Sequence, residues 1–62
     1  MHERKEEFAK IAMAILCCMP REEIAEKEGI SIEEVDKIIQ EIKKENPYMY
    51  KQMKVKIDAY NL

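Results

Sequence analysis

The amino-acid sequence predicts an all-α fold, a small four-helix bundle containing a helix-turn-helix. Three observations lead there. Apolar residues recur at i, i+3, i+4 and i+7 along most of the chain, the period of a helix with one buried face. The interruptions are few and sit where helices stop or start, at Pro20, Gly29 and Asn46-Pro47. One glycine and two prolines are too few for a turn-rich β-sandwich or barrel. The 62 residues suffice for a single helix-turn-helix domain, taken as 1–62. A chain of that size buries only about 60% of the surface its unfolded form exposes, so nearly every apolar side chain has to serve the core. The 47% hydrophobic content separates it from disordered segments, even with 39% of residues charged.

Phe8, Ile11, Ala12, Ile15, Leu16 and Met19 share one helical face, so the first helix is expected over 3–19. Pro20 ends it, because its ring pushes the preceding residue out of α geometry, and its φ suits it to open the next helix. The second helix spans 21–28. Glu22 and Glu23 complement the positive end of its dipole, and Ile24 and Ala25 face inward. Gly29 is expected at positive φ as the left-handed cap. The third helix, 32–45, has the best-marked start. Ser31 is its N-cap, bonded to the amide of Glu34; Glu34 closes a capping box, and Ile30 and Val35 are spaced as a hydrophobic staple. Val35, Ile38, Ile39 and Ile42 form its inward stripe. Asn46 caps a fourth helix over 47–60, where Tyr50, Met53, Ile57 and Tyr60 follow the 3-4-3 spacing of a helix–helix seam. The expected core is Phe8, Ile11, Ala12, Ile15, Ile24, Ala25, Ile30, Val35, Ile38, Ile42, Met53 and Ile57.

Little in the chain suits catalysis. One histidine, one serine and no threonine leave the carboxylates without a nucleophile or base to work with, so an enzyme is not expected. Cys17 and Cys18 are neighbours and His2 is far away in sequence, which falls short of the three or four ligands of a zinc centre. No metal site and no cofactor are expected; Met13, Met19, Met49 and Met53 read as gap-filling core. Adjacent thiols with no other cysteine to pair with point to a reduced, cytoplasmic chain. The longest apolar run, Ile11 to Met19, is too short to span a bilayer.

Residues 21–40, REEIAEKEGISIEEVDKIIQ, carry the informative pattern. A helix-turn-helix needs a small residue where the second helix crosses the first, and Ala25 supplies it. It needs a residue tolerant of positive φ in the turn, and Gly29 supplies it. Ile24, Ile30, Val35 and Ile38 stand at the apolar positions that fix the crossing. Through EIAEKEGIS, Val35, the ENP of 45–47 and Asp58, roughly residues 8–60 resemble the stage III sporulation protein D family of small transcription regulators. The resemblance rests on Ala25, Gly29, Ile30, Ser31, Val35, Asn46, Pro47 and Asp58. It implies a single helix-turn-helix domain that binds double-stranded DNA and regulates transcription during sporulation. It also implies contacts from the exposed early positions of the third helix, namely Ser31, Ile32, Glu33, Asp36, Lys37 and Gln40. Lys43, Lys44, Lys51 and Lys54 would assist, with Arg21 at the head of the second helix.

The charges complicate that expectation. The net charge is −2, from 11 basic and 13 acidic side chains. Residues 20–29 hold two basic and four acidic side chains, residues 30–46 three and five, and residues 47–62 three lysines and one aspartate. Glu33, Glu34 and Asp36 stand at the head of the third helix, where a phosphate backbone repels carboxylates. The alternative is an acidic helix-turn-helix scaffold that binds a protein partner, or that forms a homodimer through Tyr50, Met53, Ile57 and Tyr60.

Overall fold

The computed structural model describes residues 5–62, so His2 and the expected start of the first helix at residue 3 lie outside the described residues. Within them the chain forms four helices and no strand: α1 (Lys5–Leu16), α2 (Arg21–Glu28), α3 (Ile32–Glu45) and α4 (Pro47–Tyr60). The radius of gyration, 10.6 Å, is what a folded domain of this length should have, about 10.6 Å by the usual scaling. Helix α3 is the centre of the bundle. Both α1 and α3 pack against all three other helices, α2 and α4 do not touch each other, and α3 supplies the most buried side chains, Val35, Ile38, Ile39 and Ile42.

The order of burial follows the expected faces. Ile11, Ala12 and Ile15 of α1, Ile24 and Ala25 of α2, Val35, Ile38, Ile39 and Ile42 of α3, and Met53 of α4 form one buried cluster. Phe8, Ile30 and Ile57, expected inside, are half-buried and lean against its rim. In so small a bundle the residues at helix ends and on the outermost helix have neighbours on one side only.

Helix α1 ends earlier than its apolar stripe suggests, at Leu16 instead of Met19. Cys18 turns into the left-handed region at φ 66°. Its N–H bonds the carbonyl of Ile15 at 2.8 Å, and the Met19 N–H reaches back to the carbonyl of Ala14 at 3.0 Å. This is a Schellman ending, which satisfies carbonyls that the helix leaves free. Because Pro20 holds Met19 outside α geometry, the reversal has to be complete before residue 19. Pro20 itself is extended, at φ −68° and ψ 156°, and caps α2 without a side-chain hydrogen bond.

The α2–α3 connection matches its expectation closely. Gly29 sits at φ 72° and ψ 34°, and the Ile30 N–H bonds the carbonyl of Ala25 at 2.9 Å. The Ser31 Oγ accepts from the amide of Glu34 at 3.1 Å and opens α3. Asn46 repeats the device, with its Oδ1 accepting from the amide of Met49 at 3.2 Å before Pro47 in the first turn of α4.

Candidate nucleic-acid interface

Helices α2 and α3 with the turn Gly29–Ser31 form the helix-turn-helix hairpin. Ala25 is buried in the hairpin, while Val35 and Ile38 hold α3 down by their inward face. A helix held that way presents the opposite face to solvent. Glu33, Lys37, Gln40 and Lys44 stand on it, one above the other at helical spacing, and all are exposed. Lys37, Gln40, Glu41, Lys43 and Lys44 frame a shallow depression toward its C-terminal end.

The residues expected to make contacts divide into those already engaged within the chain and those that are not. Ser31 is exposed, but its oxygen is taken up by the cap. Ile32 is exposed at 44% beside Glu33. Arg21 donates from Nη1 to Asp36 Oδ1 at 2.7 Å, strapping the first residue of α2 to the first turns of α3. The pair is 31% and 47% exposed, so it contributes at most about 1 kcal/mol to stability. Its larger consequence is electrostatic, because each partner screens the other. Asp36 is therefore a weaker repellent of phosphate than its place in the sequence suggests, and Arg21 a weaker attractor.

Two more lysines are engaged. Lys43 Nζ lies 5.4 Å from the centroid of the Tyr50 ring, clasping the end of α3 to the first turns of α4. Lys54 Nζ pairs with Asp58 Oδ2 at 3.2 Å along α4. Among the described residues, Lys37, Lys44 and Lys51 have neither an ion-pair nor a ring partner. Acidic side chains predominate at one end of the hairpin, where Glu22, Glu23, Glu26 and Glu33 are exposed with Lys27 among them, while Lys43 and Lys44 at the far end of α3 stand beside exposed Glu45 and are followed on α4 by Lys51.

Sequence reasoning missed the Arg21–Asp36 strap and the Lys43–Tyr50 clasp. Both join residues on different helices, and periodicity within one helix carries no signal for either. The tyrosine seam needs correction. Met53 is completely buried inside the single chain and Tyr50 and Ile57 are half-buried, so Tyr60, at 58%, is the seam member left open to a partner. Met13 is corrected likewise, since it is 63% exposed and fills no gap in the core. Among the described residues no group of three or more His, Cys, Asp and Glu side chains could hold a metal ion, and no helix is long and apolar enough to cross a membrane. Comparison with protein-family models, with curated proteins and with solved structures returned no match for this chain.

Proposed function

We propose that the chain is a helix-turn-helix DNA-binding transcriptional regulator whose contacts lie toward the C-terminal half of α3 and the first turns of α4. The observation that supports this reading is the exposed stripe of Lys37, Gln40 and Lys44 on the face of α3 opposite the core. Lysines on such a face suit phosphate, and a glutamine suits an adenine edge. Control of sporulation comes to the proposal from the family resemblance alone, and a place in the cytoplasm from the adjacent thiols Cys17 and Cys18, which have no other cysteine to pair with. With so few free cations, binding should be weak and strongly salt-dependent, each phosphate contact adding about −0.9 to the slope of log affinity against log salt.

The test is a titration of duplex DNA at about 50 and about 200 mM salt, the range over which phosphate contacts reveal themselves. Lys37→Ala and Lys44→Ala should each lower affinity for all sequences and flatten the slope by about one. Glu33→Lys should raise affinity. Absence of binding by the unaltered chain at low salt overturns the proposal.

A second reading rests on the exposed carboxylates Glu22, Glu23, Glu26 and Glu33, which would suit a basic protein surface. Under it, Glu33→Lys disrupts a protein complex and leaves DNA binding absent.

A further inference from the structure

Helix α4 has a second patterned face, turned away from the core. Its inner face is spent within the chain, with Met53 completely buried and Tyr50 and Ile57 half-buried against the core cluster. On the other side Tyr48, Gln52, Val55 and Ala59 recur at a 4-3-4 spacing, which sets them in one line along the helix. All four are exposed, Tyr48 at 73% and Val55 at 62%. That spacing is the seam of a two-helix coiled coil, and α4 packs on α1 and α3 by its inner face alone. Lys51 and Asp58 flank the line on one side, seven residues apart. Lys51 has neither an ion-pair nor a ring partner among the described residues. Asp58 accepts from Lys54 Nζ through Oδ2 at 3.2 Å, which leaves Oδ1 to accept from a second donor.

We propose that a second copy of the chain docks on this face, α4 against α4 and antiparallel. A two-fold axis passing between residues 53 and 54 sets Tyr48 against Ala59 of the partner subunit, a large side chain on a small one, and Gln52 against Val55 of the partner subunit. The same axis brings Lys51 to Asp58 of the partner subunit, and Asp58 to Lys51 of the partner subunit, so the charges are self-complementary. A parallel pair would set Lys51 near Lys56 of the partner subunit instead, and flanking charges of this kind decide orientation. The 14 residues of α4 measure about 21 Å, so the seam is short and the dimer weak. The face is distinct from the one that carries Tyr50, Met53 and Ile57. It shares no residue with the Lys37, Gln40 and Lys44 stripe, so the dimer does not rest on the DNA-binding reading.

The experiment is sedimentation velocity of the full chain in low salt from about 10 µM to about 1 mM, with circular dichroism to verify that each variant keeps its helices. The chain should pass from monomer to dimer over that range. Val55→Asp, at an exposed position, should abolish the dimer. Lys51→Glu and Asp58→Lys should each weaken it by about tenfold or more, because each sets like charges opposite one another at two places. The two together should restore it, since the exchanged charges are complementary again. Tyr60→Ser should leave it unchanged. A chain that stays monomeric at about 1 mM overturns the proposal. So does a dimer that survives Val55→Asp, one that is lost on Tyr60→Ser, or a double charge variant no stronger than the single ones.

Discussion

The α1–α2 and α2–α3 junctions use the same backbone device with different residues. In each, an alanine carbonyl accepts from an N–H beyond the helix end: Ala14 from Met19 at 3.0 Å, Ala25 from Ile30 at 2.9 Å. In each, a left-handed residue turns the chain, Cys18 at φ 66° and Gly29 at φ 72°. An apolar residue follows, Met19 or Ile30, then an extended N-cap, Pro20 or Ser31. Four residues past the cap a buried side chain anchors the new helix, Ile24 or Val35. The second junction has the residue types that the device prefers. The first has a cysteine where glycine is cheapest in strain and a proline whose side chain accepts no hydrogen bond at the cap. A shared backbone solution therefore does not require shared local preference, because packing of the anchors enforces it.

Four predictions sharpen or break that comparison, each read from denaturant unfolding as a shift in midpoint at constant slope. The largest effect belongs to the anchors. Ile24→Ala should cost about 3 kcal/mol and Val35→Ala about 2, because both leave cavities in the one core. A small loss at either would mean that the corresponding turn holds itself without its anchor. Next comes Gly29→Val, at about 2 kcal/mol. A Cβ at Gly29 meets no atom within 4 Å, so the cost is backbone strain alone, and Gly29→Ala should show about half of it. Third, Ser31→Ala should cost about 1 kcal/mol through loss of the cap to Glu34, a term with no counterpart at Pro20. Smallest is Cys18→Gly, which should stabilise by about 0.5 kcal/mol, the relief of left-handed strain less the chain entropy of glycine. Destabilisation there would mean that the half-buried Cys18 side chain contributes more packing than its backbone costs.

Much of the fold was legible because it depends on short-range chemistry. Ser31 with Glu34, Gly29, and Asn46 with Pro47 mark helix ends by hydrogen bonds and φ preferences that reach at most four residues. The inward stripe of α3 is legible for the same reason, since a strongly amphipathic helix has only one way to face a core. The end of α1 was not legible. Its apolar stripe runs on through Met19, and nothing local marks Cys18 for a left-handed turn. The candidate interface was half legible. Exposure of Lys37, Gln40 and Lys44 follows from being opposite Val35, Ile38 and Ile42 on a helix, but the state of the charges around them does not.

What the sequence determined by itself was the number of helices, both ends of α2, α3 and α4, and the face that α3 buries, all set by periodicity and capping along the chain. Tertiary structure decided the rest. Packing α2 across α3 placed Arg21 on Asp36, and packing α4 beside α3 placed Tyr50 under Lys43 and turned Met53 wholly inward. It also decided that Cys18 takes a strained conformation. The physical reason is range: helix periods and caps are fixed within a turn of backbone, whereas the meeting of two side chains from different helices depends on how the whole core closes.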